Sequence, residues 1–162
     1  MIAPDLAAFA AALPAGGRLM GLDLGTKTIG VALADGGWSI ATPFETVART
    51  RLAADLARLA AIVAAQQIAG VVLGHPINMD GSKGPRAQAT RAFARDAARS
   101  LALPLLLWDE RLSTVEAERA MLEQDMSRAK RAARIDSHAA AIILQGALDA
   151  LAHARATPAK DA

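Results

Sequence analysis

A hairpin-like stretch near the amino terminus constrains the fold more than any other part of the chain. Two apolar runs, Leu19–Leu24 and Ile29–Ala34, flank a turn that begins at Gly25. This pattern predicts two antiparallel strands joined by a tight turn, where Gly25 can adopt a positive φ at little cost. Asp23 lies inside the first run, where a carboxylate is costly to bury unless another group pairs with it. The position suits a metal-binding acid, and a surface aspartate on a half-exposed hairpin is the alternative.

The composition limits the classes of function. The 162 residues fit one domain with a sizeable core. There is no cysteine, which excludes disulfides and thiolate metal sites. Lysine and arginine number 18 against 16 acidic residues, so the net charge of +2 does not by itself indicate a nucleic-acid-binding protein. Aromatic residues make up only 3%, which argues against a platform for stacking single-stranded bases.

The amino-terminal segment, residues 1–17, is apolar and rich in alanine. It has no basic region, and it contains prolines, so we expect no signal peptide. No apolar run approaches the roughly 20 residues of a membrane helix, and we therefore expect no membrane partner. Leu6, Phe9 and Leu13 recur at helical spacing, which indicates a short docking helix or a loose extension. We expect the main domain at residues 18–153 and a frayed tail at residues 154–162.

The remaining elements alternate between strands and helices. The pattern predicts a third antiparallel strand at Ser39–Val47, a helix near Leu52, a buried parallel strand at Val71–Gly74, a helix from Pro85 to about Ser100, and a strand at Leu103–Trp108. A capping box at Ser113 opens a further helix. A basic loop then precedes a last helix that begins at Asp136 and Ser137. These elements predict one α/β domain with a five-stranded mixed sheet, strands 1–3 antiparallel and strands 4–5 parallel, flanked by helices.

One helix carries a stripe of arginines at positions 91, 95 and 99. Residues four apart lie on the same helical face, so these cations are neighbours. The stripe indicates either a solvated helix face or a surface that contacts phosphates. The sequence leaves both interpretations open.

Three acids occupy comparable positions in the predicted fold. Asp23 lies on the first, central strand of the predicted sheet, Glu110 ends a later strand, and Asp136 begins the last helix. Strand ends and a helix start can meet at one edge of a sheet, and clustered carboxylates repel one another unless cations bind between them. Hard oxygen ligands suit Mg²⁺ or Mn²⁺, and two such ions can hold a phosphodiester. Alternatively, Asp136 caps its helix and Glu110 pairs with a nearby arginine.

Four segments together resemble the YqgF/RuvX family of bacterial proteins. They are Asp23–Ala32, Gly74–Gly81, Asp109–Ala117 and Ile135–Leu144, within a resemblance that extends over residues 19–151. The family is described both as Holliday-junction resolvases and as pre-16S ribosomal RNA nucleases. The resemblance implies an RNase H-like fold and places an acidic catalytic and metal-binding triad on Asp23, Glu110 and Asp136. It also implies cytoplasmic maturation of the 5′ end of the 16S rRNA precursor in ribosome biogenesis, on the RNA or on a pre-ribosomal particle.

The resulting hypothesis is metal-dependent phosphodiester hydrolysis with two Mg²⁺ or Mn²⁺ ions. Asp23 bridges the ions, and water attacks in line to leave 5′-phosphate and 3′-hydroxyl ends. We expect the nucleic-acid backbone to be held and oriented by polar and basic residues around the triad: Lys27, Asn78, Arg111, Thr114, Arg128, Lys130, Arg131 and Arg134. His75 either fills a pocket or contacts phosphate, and the roles of His138 and Trp108 remain open between packing and chemistry.

Three other functions are consistent with parts of the sequence. A Holliday-junction resolvase acting on branched DNA has the same chemistry. A non-catalytic RNA-binding or ribosome-binding module retains the fold without cleavage. A phosphotransferase is the third, because a motif like Asp23-Leu-Gly-Thr-Lys-Thr28 also opens the ATPase fold of actin and sugar kinases; those proteins need two such domains, whereas this chain supplies one. The sequence does not distinguish a monomer from a homodimer.

Overall fold

One mixed sheet organises the part of the chain that the structure describes. The computed structural model covers the backbone of residues 1–112 and 128–156, and the side chains of residues 1–112 and 137–155. Within these ranges six strands pair in the order β1-β6-β5-β2-β3-β4. The strands are β1 (Ile2–Ala3), β2 (Arg18–Leu24), β3 (Thr28–Ala34), β4 (Ala41–Ala48), β5 (Ile68–His75) and β6 (Leu105–Asp109).

Four α-helices accompany the sheet in the described ranges. They are α1 (Leu6–Ala12), α2 (Leu52–Gln66), α3 (Pro85–Leu101) and α4 (Arg128–Ala156), and a short 3-10 turn (Glu110–Leu112) follows β6. One face of the sheet packs against α2 and α3, and the other packs against α4 and α1. The sheet therefore lies between two helical layers, as expected when parallel strands are buried on both faces. None of the described helices is both long and apolar enough to cross a membrane.

The hairpin of β2 and β3 is antiparallel as predicted, with Met20 opposite Leu33 and Leu24 opposite Ile29. Its turn is closed by the Gly25 amide, which donates to the Thr28 carbonyl at 2.8 Å. Gly25 does not have a positive φ, contrary to the expectation from sequence. A Cβ at this position would lie 3.0 Å from the Thr28 oxygen, so the turn needs glycine for close approach instead.

The prediction of a five-stranded sheet was wrong, because the amino terminus adds a sixth strand. β1 pairs in parallel with β6, with Ile2 level with Leu105. The Leu105 amide donates to the Met1 carbonyl at 2.9 Å. The predicted docking helix is confirmed as α1, and its Phe9 is fully buried. A strand of two residues is too short to show a period of two, so the sequence pattern did not reveal it.

The predicted loop at residues 128–134 is also corrected, because these residues form the first two turns of α4. Asp136 therefore lies inside the helix and does not begin it. The segment contains alanine, arginine and lysine, which favour helix, and it contains no glycine or proline. Asp136 and Ser137 are residue types typical of a helix start, but here they lie inside the helix. The predicted capping box at Ser113 lies outside the described residues.

Candidate active site

Two of the three predicted acids approach the same face of the sheet at the carboxyl ends of β2 and β6. Side chains alternate between the faces of a strand, so Asp23 shares a face with Leu19, and this face packs against α4. Asp23 is only 2% exposed. Glu110 lies two residues beyond Trp108, which packs on the same side, and it is half-buried. Both carboxylates therefore belong to the layer between the sheet and α4.

Gly74 lies between these two acids. Leu22 is level with Leu73, so the next residues, Asp23 and Gly74, are neighbours across β2 and β5. A Cβ placed on Gly74 would lie 3.3 Å from the carboxyl carbon of Glu110 and 2.5 Å from Cδ1 of Ile143. The missing side chain thus gives the Glu110 carboxyl group room against the sheet, on the strand adjacent to Asp23.

The third acid, Asp136, belongs to a stretch of α4 whose backbone alone is described. The carboxyl-terminal part of α4 lies near the amino end of β2, because Arg155 stacks over Trp38 and the Trp38 indole donates to the Gly17 carbonyl. The helix therefore runs antiparallel to β2 and starts near the carboxyl edge of the sheet.

Helix geometry places position 136 near the level of Asp23. A Cβ on Gly21 would lie 2.9 Å from the Ala140 carbonyl oxygen, so Ala140 is level with Gly21. Position 136 precedes Ala140 by four residues, about 6 Å along a helix. Asp23 follows Gly21 by two residues, about 6.6 Å along a strand in the same direction. The backbone thus brings position 136 to the same edge as the other two acids.

The donor set fits a divalent cation. Asp23 and Glu110 supply carboxylate oxygens, the hard ligands that Mg²⁺ and Mn²⁺ prefer, and Gly74 leaves the space in which the Glu110 carboxyl group lies. Among the side chains that the structure describes, no three histidine, aspartate or glutamate residues are grouped closely enough to hold a metal ion. The third predicted ligand is Asp136, whose side chain lies outside the described residues.

Asp109, the neighbour of Glu110, is engaged elsewhere. Its carboxylate accepts two hydrogen bonds from the Arg111 guanidinium, from Nη2 at 2.7 Å and from Nε at 3.0 Å. Strand alternation turns Asp109 to the face of the sheet that packs on α2 and α3. The Arg111 hydrogen bonds lower the pKa of Asp109 below its ordinary value. Arg111 thus pairs with Asp109, and its Nη1 lies 3.7 Å from the Cβ position of Gly81 in the loop after β5.

Asn78 maintains the conformation of the loop that follows β5. Its side-chain amide donates to the Ser82 hydroxyl at 3.0 Å, and its backbone amide donates to the Ser82 carbonyl at 3.0 Å. Asp80 accepts from the backbone amide and the hydroxyl of Ser82, and these hydrogen bonds lower the pKa of Asp80. The loop is exposed, with Met79 86% accessible. Its conformation is therefore set by internal hydrogen bonds.

His75 is the last residue of β5 and is 7% exposed. Its Nε2 is buried and has no hydrogen-bond partner among the described residues. Burial lowers the pKa of His75, the positive charges of Lys83 and Arg91 lower it further, and Asp109 acts in the opposite direction. The imidazole is therefore neutral near pH 7 and fills the end of the strand, on the face opposite Gly74.

The predicted nucleic-acid-binding residues are only partly described. Lys27 is exposed in the β2–β3 turn, and its carbonyl accepts from the Arg49 amide at 2.9 Å. Arg128, Lys130, Arg131 and Arg134 lie on the first two turns of α4, as backbone positions. Thr114 lies outside the described residues. The described cations Lys27 and Arg111 thus lie at the carboxyl edge of the sheet.

Two features of this edge were missed in the sequence. Arg49 donates from Nη1 to the Gly25 carbonyl at 2.5 Å, so a second cation borders the β2–β3 turn. Gly21 and Gly74 permit α4 to lie close to the sheet, since a Cβ at either residue would approach α4 side chains within 2.6 Å. A glycine within an apolar strand is a known sign of close backbone approach. The two glycines are visible in the sequence, but the sequence does not identify α4 as the element that packs against them.

Comparison with curated proteins identifies close relatives. A protein of Sphingopyxis alaskensis named "Putative pre-16S rRNA nuclease" is 65% identical over 149 residues, which cover 92% of this chain and 95% of that protein. A protein of Rhodobacter capsulatus with the same name is 62% identical over 153 residues, covering 94% of this chain and 96% of that protein. The similarity thus extends over nearly the full length of both relatives.

Solved structures show the fold, and a family model shows the family. RuvC of T. thermophilus in complex with a Holliday junction substrate matches with a TM-score of 0.56 and 16% identity, covering 85% of this chain and 96% of that chain. A second Thermus thermophilus RuvC structure matches with a TM-score of 0.55 and 14% identity, covering 84% and 96%. At such identities the likeness shows the fold alone, and it confirms the RNase H-like expectation. Residues 17–150 match the model of the RuvX family, described as Holliday junction resolvase, and the chain belongs to that family.

Proposed function

We propose that this protein is a nuclease that hydrolyses phosphodiester bonds in precursor 16S rRNA and matures its 5′ end. The names of the Sphingopyxis and Rhodobacter relatives support this substrate. The reaction takes place in the cytoplasm, on the free precursor or on a pre-ribosomal particle.

One observation carries the proposal: Asp23, Glu110 and the backbone position of residue 136, on three separate elements, lie at one edge of the sheet. Asp23 comes from β2, Glu110 follows β6, and position 136 lies on the antiparallel helix α4. Gly74 leaves space beside Glu110 on the strand between them. Carboxylates at one edge repel one another, and divalent cations bound between them would remove that repulsion.

Asp23, Glu110 and Asp136 would hold Mg²⁺ or Mn²⁺. When bound, such ions lower the pKa of a coordinated water and stabilise negative charge on a phosphoryl group. In the overall reaction the water oxygen forms a bond to phosphorus, and the bond from phosphorus to the 3′-oxygen breaks. The products are a 5′-phosphate and a 3′-hydroxyl group.

The remaining residues bind and orient the substrate. Lys27 and Arg111 lie on either side of the acids along the carboxyl edge and bind flanking phosphates. Asp109 holds the Arg111 guanidinium through two hydrogen bonds, so this cation is already oriented before the substrate arrives. Asn78 maintains the loop after β5, which forms the side of the site nearest to Arg111. The basic first turns of α4 and Thr114 complete the proposed substrate surface.

A second candidate is resolution of branched DNA. It is favoured by the family description and by the fold shared with RuvC, which was solved in complex with a Holliday junction substrate. The same acids serve either substrate, because both reactions break a phosphodiester bond. Substrate choice therefore depends on the surface around the acids.

The test is cleavage by the wild type and by Asp23→Asn of a precursor 16S leader RNA and a four-way DNA junction, in Mg²⁺ and in Mn²⁺. Asparagine keeps the size of the buried side chain and removes its charge. We expect cleavage of the RNA to fall by more than about 100-fold, because even residues that only support metal ligands change activity by 10–100-fold.

Asp149→Asn is the matched control, since it makes the same chemical change on an exposed residue of α4 at the opposite edge of the sheet. It should cleave like the wild type. Full activity in Asp23→Asn would refute the assignment of the acids. Cleavage of the junction alone would move the function to DNA recombination. Binding without cleavage of either substrate, by the wild type as well, would indicate a non-catalytic RNA-binding protein.

A further inference from the structure

The outer face of α3 is strongly basic although the whole protein is nearly neutral. The helix contains Arg86, Arg91, Arg95 and Arg99 against one acid, Asp96. Its net charge of +3, four positive charges less one negative, exceeds the +2 of the entire chain. We call Arg91, Arg95 and Arg99 the arginine stripe. All three are exposed.

In the described part of the chain, these cations take part in no ion pair. Within the described side chains, the ion pairs join Arg58 to Glu45 and Arg111 to Asp109, and neither pair includes a residue of α3. Like charges four residues apart destabilise a helix. The stripe is therefore unfavourable for the isolated protein, and a polyanion that binds along it would remove the repulsion.

The stripe is connected to the carboxyl edge of the sheet through the loop after β5, on the face opposite the acids. The loop after β5 connects directly to α3, whose first residue is Pro85. The positive charges of Lys83 and Arg91 both act on His75 at the end of β5. From Arg91 the stripe continues for eight residues to Arg99, about 12 Å along the helix. A chain of phosphates that leaves the carboxyl edge on this side thus meets Lys83, Arg91, Arg95 and Arg99 in turn.

The chemistry of the face selects phosphate over base contacts. The aromatic residue of α3 is Phe93, which is 5% exposed and packs in the core. Base stacking needs exposed aromatic rings, and the outer face of α3 presents guanidinium groups, which pair well with phosphate oxygens. The surface is therefore suited to a nucleic-acid backbone without regard to sequence.

We propose that the arginine stripe binds the phosphates of the substrate strand that flanks the cleaved bond, a role that rests on the proposed nuclease function. In this arrangement the acids cleave at the carboxyl edge while α3 holds the adjoining strand. The stripe contributes affinity that increases with the length of the substrate.

The test compares two double variants with the same loss of charge, both in an Asp23→Asn background so that the RNA stays intact. One is Arg95→Gln with Arg99→Gln. The other is Arg58→Gln with Arg155→Gln, exposed arginines on α2 and at the end of α4. Binding is measured against salt concentration with a leader RNA of about 30 nucleotides and with one of about 6 nucleotides, since nucleic-acid sites commonly extend over about 4–16 nucleotides.

For the long RNA, we expect the stripe variant to bind roughly tenfold more weakly and to reduce the salt slope by about 1.4, because each single-strand phosphate contact contributes about 0.7. The control variant should stay near the parent. For the short RNA, both variants should bind alike. Equal weakening of both variants would show a general effect of net charge, and no weakening by the stripe variant would show a solvated face; either result overturns the inference.

The two proposals fail separately. Loss of length-dependent binding in the stripe variant, together with no cleavage by the wild type, would retain the stripe as an RNA-binding surface and reject the nuclease. If cleavage depends on Asp23 but binding is the same with or without Arg95 and Arg99, the nuclease is retained and the role of the stripe is rejected. Arg95 and Arg99 are exposed and have no ion pair within the described residues, so the stripe variant should keep the thermal unfolding midpoint of the parent. In the control, Arg58 loses its ion pair with Glu45 and Arg155 loses its contact with the Trp38 ring, so its midpoint is measured as well and binding is compared below both midpoints.

Discussion

Asp23 and His75 are two buried titratable residues at the carboxyl edge of the sheet, and they lie on opposite faces of it. Asp23 faces α4, where Glu110 and position 136 also lie, whereas His75 faces the layer of α2 and α3. His75 is surrounded by the positive charges of Lys83 and Arg91 and by the negative charge of Asp109. Strand alternation separates the two sets of charges by the thickness of the sheet. His75 therefore lies at the same edge of the sheet as the proposed acids but on the other face, away from their chemistry.

His75 should make the stability of the protein depend on pH. Burial lowers its pKa from the ordinary 6.5 in the folded state. As the pH falls below about 6.5, the unfolded chain binds a proton that the folded chain resists, so stability decreases until the folded pKa is reached. His75→Val removes the titrating group and the unpaired Nε2. We expect urea denaturation between pH 7.5 and 5 to show a shallower loss of stability in the variant than in the wild type.

His153→Gln is the control, because it removes an exposed histidine of α4. Its stability should follow the wild-type pH profile. If His75→Val and the wild type lost stability in parallel over this range, the titration would have to be assigned to other groups. The pKa values of Asp80 and Asp109 are lowered from the ordinary 3.8, so their protonation changes the stability only at pH values below the range from 7.5 to 5.

At the scale of elements, the contact between α4 and the sheet decides the geometry of the site. Gly21 on β2 and Gly74 on β5 have no side chains where Leu144 and Ile143 approach, and Gly146 of α4 similarly leaves room for the Trp108 ring. Small residues at a contact let two backbones come together. Because position 136 is on the same helix, this contact also sets how close the third acid comes to Asp23.

Gly21→Ala should separate α4 from the sheet. A Cβ there would lie 2.6 Å from the Leu144 Cβ and 2.9 Å from the Ala140 carbonyl oxygen, and neither atom belongs to a flexible side-chain end. We expect a loss of about 1–3 kcal/mol in the free energy of unfolding, the usual effect of an overpacked core. Cleavage activity should fall with it. Urea denaturation measures the first effect.

Gly36→Ala provides the comparison, because no heavy atom lies within 4 Å of its Cβ position and its φ is not positive. It should change the free energy of unfolding by less than about 0.5 kcal/mol. A Gly21→Ala protein as stable as this control would show that α4 can shift without loss, and the close contact would then not position the acids.

On the scale of the whole molecule, the amino-terminal segment completes the core. The RuvX family match begins at residue 17, yet residues before it extend the sheet through β1 and cover one face through α1. Phe9 of α1 is fully buried, and the Cβ position of Gly70 lies 3.1 Å from its ring. The segment also covers the outer edge of β6, which would otherwise expose unpaired backbone groups.

Phe9→Ala tests this contribution. Removing a fully buried phenylalanine leaves a cavity, and we expect the free energy of unfolding to decrease by about 3–5 kcal/mol. Ile40→Ala is the control, since Ile40 is 64% exposed and its removal should cost less than about 0.5 kcal/mol. Equal stability of the two variants, measured by thermal and urea unfolding, would mean that the amino-terminal segment is dispensable for the fold.

Local pattern in the sequence determined the hairpin, the helices α2 and α3, and the buried parallel strands. Each of these has a clear hydrophobic period or a turn signal such as the one at Gly25, and such signals depend on neighbouring residues alone. The candidate acids at residues 23, 110 and 136 were likewise predicted from their places at strand ends and at the expected start of the last helix. The family resemblance rested on the same local motifs.

Only the tertiary structure decided which elements touch. The pairing of Ile2–Ala3 with β6 joins two distant segments whose sequence patterns carry no sign of one another. Gly21 and Gly74 indicate in the sequence that another element packs closely, but the sequence does not show that this element is α4. Hydrophobic period and propensity are properties of a segment, whereas contacts between segments depend on the packing of the complete core. The fold class was therefore readable in the sequence, and the arrangement of groups around Asp23 was not.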